Sequence, residues 1–241
     1  MRLFYSPFHK FIHKALVVAH EVGLWDQLQF VPTYPFNNLD GEPQGDKYSI
    51  AAINPLGKVP TLALDDGTVI YGSQAIVEYF DYNSQNGKHL YPEPGPARWD
   101  NLTRLALGDT IFEVSVIISM EGGLPEADQR MRPYEWIWPK LLRGFDRLEQ
   151  RVTEGFDDFD IGQAAMLQGI SYLDYRSQVQ KDPVQPDFDW RVGRPRLTEW
   201  WEETLERPSV RAHYQKDYEG DDSPEFLQSN VSAVLALQAN R

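Results

Sequence analysis

Residues 54–80, N-P-L-G-K-V-P-T-L-A-L-D-D-G-T-V-I-Y-G-S-Q-A-I-V-E-Y-F, leave this chain few ways to fold. Two short apolar runs, 61–64 and 68–71, flank Asp65-Asp66-Gly67, which is a hairpin signal. Gly72-Ser73 then opens a helical pattern with Ala75, Ile76, Tyr79 and Phe80 on one face. Pro60 cannot donate to a strand ladder, so it belongs at a strand start or in a turn. With a cis peptide bond before it, Val59 would turn its N–H and C=O outward, free to pair with a ligand backbone. Ser73 reads as the helix N-cap, its hydroxyl joining the free N–H groups of Gln74 and Ala75 in an anion site. One end of the unit then suits a peptide-like strand and the other a carboxylate. The plainer reading leaves Pro60 as a strand start and Ser73 as a cap only.

Upstream, residues 2–5 read as a strand, Ser6-Pro7-Phe8 as a turn and residues 10–22 as a helix. On that helix Phe11, Ala15, Leu16, Val18, Ala19 and Val22 share a face, and Gly23 is set to stop it. A second strand is expected over 28–31, followed by a polar loop over 32–53, long enough to suggest a functional role. The order is βα-β, a loop, then ββα. Residues 84–96 read as a linker rich in Pro and Gly, after which strand patterns cease. Helices are expected over 99–121, 133–152 and 160–178, with shorter ones over 194–207 and 208–214. Asp160-Ile161-Gly162-Gln163 fits a capping box, and Ala164, Ala165, Gly169 and Ser171 suit a helix threaded through a bundle. Ser223-Pro224 opens a last short helix. The expected layout is therefore an α/β domain over 1–83, a linker over 84–96, an all-α domain over 97–215 and a tail over 216–241.

The charge balance narrows the partners. Lys and Arg number 23 against 36 Asp and Glu, a formal net charge of −13. Such a chain offers no basic face to nucleic acid or to an anionic membrane, and an anionic substrate must be drawn in locally. There is no cysteine, which excludes disulfides, thiolate zinc sites and thiol chemistry on the chain's own sulfur. No apolar run reaches the roughly 18 residues of a membrane span, and strand-like residues follow Met1 directly, with no leader pattern. A cytoplasmic location is the expectation. His9 and His13 have the i, i+4 spacing of a metal pair, but no carboxylate lies on their stripe, so no metal is expected.

Three stretches together resemble the cytosolic glutathione transferases. They are N-P-L-G-K-V-P-T-L with Y-G-S-Q-A-I; F-Y-S-P-F with V-V-A-H-E-V-G-L; and D-F-D-I-G-Q-A-A with Y-L-D-Y-R, D-W-R-V-G-R-P and E-R-P-S-V. The resemblance covers roughly residues 1–215. It implies an N-terminal thioredoxin-like βαβ-ββα domain followed by an all-helical domain, glutathione as co-substrate, a small hydrophobic electrophile as second substrate, and a homodimer.

By the same resemblance, Pro60 matches the family's cis-proline and Val59 the residue whose backbone pairs with the cysteinyl part of glutathione. Ser73 matches the residue that binds the γ-glutamyl carboxylate, and Lys58 a side chain reaching toward the glycyl end. Phe8, Phe112 and Val116 would line the electrophile's pocket, although core packing explains Phe112 and Val116 equally well. The sequence departs from the family at Gly72, where an acidic residue or Gln usually meets the glutathione α-amino group. The family holds the glutathione thiolate with one hydroxyl or thiol donor. Here Ser6 is the first candidate for that donor, His9 the second and Tyr5 the third. His9 has a second reading, as a solvent-facing residue at a helix start. The expected function is conjugation or displacement by glutathione at an electrophile; the alternative is a binding or regulatory protein on the same fold, favoured by Gly72 and His9.

Overall fold

A computed structural model of the chain describes residues 1–5, 13–33, 50–122, 131–179 and 188–213. They form two compact units, one within Met1–His89 and the other within Leu90–Lys216.

The first unit is built on a four-stranded sheet of β1 (Arg2–Tyr5), β2 (Gln29–Pro32), β3 (Thr61–Ala63) and β4 (Val69–Tyr71), in the order β2-β1-β3-β4. β2 runs parallel to β1, and β3 and β4 are antiparallel to their neighbours. β2 lies one residue later than its expected span because Leu28 closes a 3-10 turn over Trp25–Gln27. Pro32 is tolerated at its end because β2 is an edge strand. Between β1 and β2 comes α1 (His13–Glu21), and after β4 comes α2 (Ser73–Tyr82). These two helices pack on each other, and α2 also packs on β3 and β4.

Alternation along β1 sends Leu3 and Phe4, both fully buried, to opposite faces of the sheet. Phe4 joins Val31, Ile50, Ile53 and Ala63 in an apolar cluster, with Val59 packed against it. α1 stops at Gly23, as expected: the Leu24 N–H bonds to the Ala19 carbonyl at 2.8 Å and the Gly23 N–H to that of His20 at 3.2 Å. That pair of bonds is a Schellman closure.

The first half of the expected linker is tied to this helix end. The Gln85 N–H donates to the Val22 carbonyl at 2.9 Å, Asn86 Nδ2 to the Glu21 carbonyl at 2.9 Å, and Lys88 pairs with the Glu21 carboxylate. Leu90 is buried in the second unit, where its carbonyl accepts the Ile161 N–H at 3.1 Å.

The regular elements in the described part of the second unit are all helices: α3 (Pro96–Gly122), α4 (Met131–Thr153), α5 (Ile161–Val179), α6 (Pro195–Leu205) and α7 (Pro208–Arg211). Every residue from Ile161 to Asp174 is buried, so α5 is the central helix. It meets α3 backbone to backbone. A Cβ built on Gly108 would lie 2.4 Å from the Ala165 carbonyl carbon, and one on Gly169 would lie 2.7 Å from the Gly108 oxygen. The small residues read from the sequence of α5 thus have their counterpart in Gly108.

The capping box at Asp160 forms only by half. Asp160 Oδ1 accepts the Gln163 N–H at 2.9 Å, but the Gln163 amide turns instead to the Asp158 carbonyl at 2.6 Å and accepts Trp200 Nε1 at 3.2 Å. α6 is capped from outside its own segment: the Glu149 carboxylate on α4 accepts the N–H groups of Arg196 and Leu197 at 3.2 and 2.7 Å. The short helix expected over the tail lies outside the described residues.

Candidate functional site

The strand register gathers the predicted residues of the first unit at one end of the sheet. Thr61 pairs with Tyr71 across β3 and β4, so Pro60 and Val59 continue past β3 opposite Gly72 and Ser73, which continue past β4. Neighbouring strands lie about 4.8 Å apart, which makes these four residues adjacent. On the other side of β3, Phe4 pairs with Thr61, which sets Tyr5 level with Pro60. The ends of β1 and β4, the start of β3 and the N-terminus of α2 therefore share one rim.

Val59 stands in that rim as a main-chain edge. The Val59–Pro60 peptide bond is cis. The Val59 side chain is held in the Phe4 cluster, while neither its N–H nor its carbonyl has a hydrogen-bond partner among the described residues. Behind it, residues 54–58 form a tight turn. The Gly57 N–H donates to the Asn54 carbonyl at 2.8 Å and the Leu56 N–H to Asn54 Oδ1 at 3.0 Å. Asn54 Nδ2 donates to the Lys58 carbonyl at 2.8 Å and to Thr61 Oγ1 at 3.0 Å, and Thr61 Oγ1 donates to the Lys58 carbonyl at 2.8 Å. The Lys58 side chain is exposed, with no ion pair among the described residues.

The other half of the rim corrects one expectation. Ser73 is not the N-cap of α2. Gly72 occupies that position, with φ +89° and ψ 125° and no side-chain cap, and Ser73 is the first helical residue. The physical reason is the backbone path out of β4: it needs a positive φ that glycine adopts freely. The Ile76 N–H bonds to the Gly72 carbonyl at 3.1 Å, which leaves the N–H groups of Ser73, Gln74 and Ala75 as the orphan donors of the helix start. No acidic residue sits in this first turn, so its partial positive charge is uncompensated from within the helix. The half-buried Ser73 hydroxyl is released from capping and has no partner among the described residues.

The three candidate donors fare differently. Tyr5 is half-buried, its ring edge-on to Phe30 at 5.9 Å, and burial pushes its phenol above the ordinary 10.0. At neutral pH it is a hydroxyl donor. Ser6 and His9, like the pocket candidate Phe8, lie outside the described residues.

In the second unit Phe112 is 3% exposed and meets Tyr172 of α5 edge-on at 5.2 Å, as a core residue does; Val116, one turn on, is half-buried. A surface groove there, lined by Phe156, Arg196, Glu199, Trp200 and Arg207, mixes both signs of charge without a catalytic grouping. Among the described residues no group of three or more His, Cys, Asp or Glu is placed to hold a metal, and no helix is long and apolar enough to cross a membrane.

Asn54 and Thr61 are the polar residues of the rim that reading the sequence passed over. Asn54 ahead of Pro-x-Gly is an Asx-turn signal that would have found the first. Nothing in the residue pattern marks Thr61 as other than a strand start.

The comparisons with known proteins agree with this architecture. The model of the glutathione S-transferase N-terminal domain matches residues 9–82. A glutathione transferase family member from Pseudomonas fluorescens Pf-5, solved with bound glutathione, is 30% identical with a TM-score of 0.75, covering 88% of this chain and 97% of that one. A glutathione S-transferase from Methylobacillus flagellatus KT, solved with GSH bound, is 28% identical with a TM-score of 0.74, covering 88% and 98%. The uncharacterized GST-like protein YibF of Escherichia coli K12 is 27% identical over 212 residues, 87% of this chain and 96% of that one. With the sheet order, the helical second unit and these relatives in agreement, the chain belongs to the glutathione transferase family.

Proposed function

We propose that this protein is a glutathione transferase that joins the glutathione sulfur to a small hydrophobic electrophile. The observation that carries this reading is the β3–β4 register, which sets the Val59 backbone and the start of α2, both unpaired among the described residues, beside each other. The Val59 N–H and carbonyl pair with the cysteinyl residue in the manner of an added strand. The γ-glutamyl carboxylate sits on the Ser73 hydroxyl and the Gln74 and Ala75 N–H groups, and Lys58 faces the glycyl carboxylate. In a chain of net charge −13, these local donors are what draws in an anionic tripeptide.

The chemistry then requires the thiol to lose its proton to solvent and the thiolate to be held by one donor, from Ser6, His9 or Tyr5. The sulfur lone pair forms a C–S bond at the electrophilic carbon. A leaving group departs with its electron pair, or, in an addition, the pair moves onto the acceptor, which takes up a proton. In the second unit, half-buried Val116 has a stronger claim to meet the electrophile than Phe112, which is buried in the core. The protein acts in the cytoplasm as a homodimer.

Retention on glutathione-agarose with turnover of a generic aryl halide is the expected result, and failure of both would refute glutathione dependence. Ser6→Ala and His9→Ala, compared at saturating glutathione, assign the thiolate donor. Gly72, where no side chain meets the ligand's α-amino group, and His9 favour a second reading, a binding or regulatory protein on the same fold with weak or no transferase activity. Retention without turnover would select it.

A further inference from the structure

The Lys58 carbonyl is gripped from within the fold by two side chains. Asn54 Nδ2 and Thr61 Oγ1 each donate to it at 2.8 Å, and Asn54 Nδ2 also donates to Thr61 Oγ1 at 3.0 Å, closing a triangle. Both donors are buried, Asn54 at 1% and Thr61 at 0% exposure. A carbonyl oxygen has two lone pairs, so this acceptor is filled. Asn54 is itself anchored: its N–H donates to the Ile50 carbonyl at 2.9 Å and its own carbonyl takes the Gly57 N–H.

The consequence falls on the next residue. The Lys58–Val59 peptide is trans, since the cis bond among the described residues is the one that follows it. In a trans peptide plane the carbonyl and the following N–H point in opposite directions. A carbonyl drawn inward by two buried donors therefore turns the Val59 N–H outward, and the Val59 side chain, packed in the Phe4 cluster, holds the far side of that plane. Such a filled, rigid acceptor beside an unpartnered donor is more than loop closure requires; the Gly57 and Leu56 N–H bonds already close the turn.

We infer that Asn54 and Thr61 are positioning residues that aim the Val59 N–H at the cysteinyl carbonyl of glutathione, an inference that rests on the glutathione reading above. They touch no substrate. Their effect belongs to the binding of glutathione and to its KM, and leaves kcat at saturating glutathione unchanged.

The test uses the full-length protein with glutathione itself as the probe. Thr61→Val keeps the shape of the side chain and removes its donor, while Thr61→Ser keeps the donor. The expected outcome is a Kd and KM for glutathione raised about ten-fold in T61V, with kcat and the Kd of T61S within about two-fold of the parent. A role confined to stability would lower the Tm of T61V and leave its Kd, measured well below that Tm, at the parent value; that result overturns the inference. If T61V does not fold, the 15N–1H resonance of Val59 in the parent decides: it must shift on saturation with glutathione, and a resonance that stays put overturns the inference. A parent that binds no glutathione refutes the function reading and takes this inference with it, a result distinct from a parent and a T61V that bind alike.

Discussion

Arg104 on α3 closes on both carboxylate oxygens of Asp160, the residue that caps α5, with nitrogen–oxygen distances of 2.7 and 2.8 Å. The same Oδ1 that takes the guanidinium also accepts the Gln163 N–H, so one carboxylate starts the central helix and fastens it to its neighbour. Arg104 is 6% exposed and keeps a second partner in Asp100 at 3.0 Å. Asp160→Ala removes a cap worth about 1 kcal/mol and strips a buried cation of its main partner, for a total loss of about 3 kcal/mol. Asp160→Asn keeps the cap oxygen and should lose less. Urea unfolding of the two variants checks the order, and equal losses would disprove it.

Asp100 contributes to the acid limb of stability. A hydrogen bond from Arg151, then one from Arg104, holds its carboxyl below the ordinary 3.8 against an opposing effect of burial. A carboxylate depressed in the fold stabilises it fully above its unfolded pKa, and that contribution disappears as pH falls through the lower folded value. Parent and Asp100→Asn should therefore differ in unfolding free energy at pH 5 and converge as the pH drops below 3.8. A difference that stays constant down to about pH 2.5 would show that Asp100 does not titrate with the fold.

Ser73→Ala separates capping from binding. A capping Ser lost to Ala costs about 1 kcal/mol, but Ser73 makes no cap bond. The variant should unfold within about 0.5 kcal/mol of the parent while its affinity for glutathione falls about ten-fold, the value of one hydrogen bond to a charged group. A stability loss without a binding loss would return Ser73 to a purely structural role.

Gly72→Glu tests the family departure against the backbone. A Cβ there meets nothing within 4 Å, yet φ is +89°, so the cost is conformational, about 1–3 kcal/mol. Gly72→Ala should show the same loss of stability. Tighter glutathione binding by the Glu variant alone would identify the missing α-amino partner; no gain over the Ala variant would show that the ligand's amino end is met elsewhere.

Gly108→Ala should be far more damaging than its size suggests. The added methyl would lie 2.4–2.6 Å from the backbone of Ala165 and Met166, which cannot swing aside as a side chain does. Overpacking usually costs about 1–3 kcal/mol, and a backbone-to-backbone clash belongs at or above the top of that range. Thermal unfolding checks it, and a variant as stable as the parent would show that α3 and α5 can part freely.

What the sequence made readable was punctuation. Asp65-Asp66-Gly67 announced the hairpin, and the structure closes it with the Thr68 N–H on Asp66 Oδ1 at 2.8 Å. Gly23 announced the end of α1. Helix and strand limits shifted by one to a few residues because terminal turns are decided by hydrogen bonds rather than by residue type. Ser73 was misread because a Ser ahead of an apolar helix is the usual cap, and only the backbone torsions hand that position to Gly72. The Asn54–Thr61 grip escaped because two donors seven residues apart converge on one carbonyl, which no local period records. Gly108 escaped for the same kind of reason, since the partner of a small-residue stripe lies on another helix.

The rim at the end of the sheet is made mostly of main chain: the Val59 N–H and carbonyl on one side, the first three N–H groups of α2 on the other. Groups of this kind cannot be deleted by changing a side chain, and an alanine scan across them would register the Ser73 hydroxyl and little else. Selection on such a surface acts through the residues that shape the backbone, Pro60, Gly72 and the buried polar pair behind Lys58. The chain is free to exchange most of its other side chains while offering the same hydrogen-bonding outline to whatever docks there.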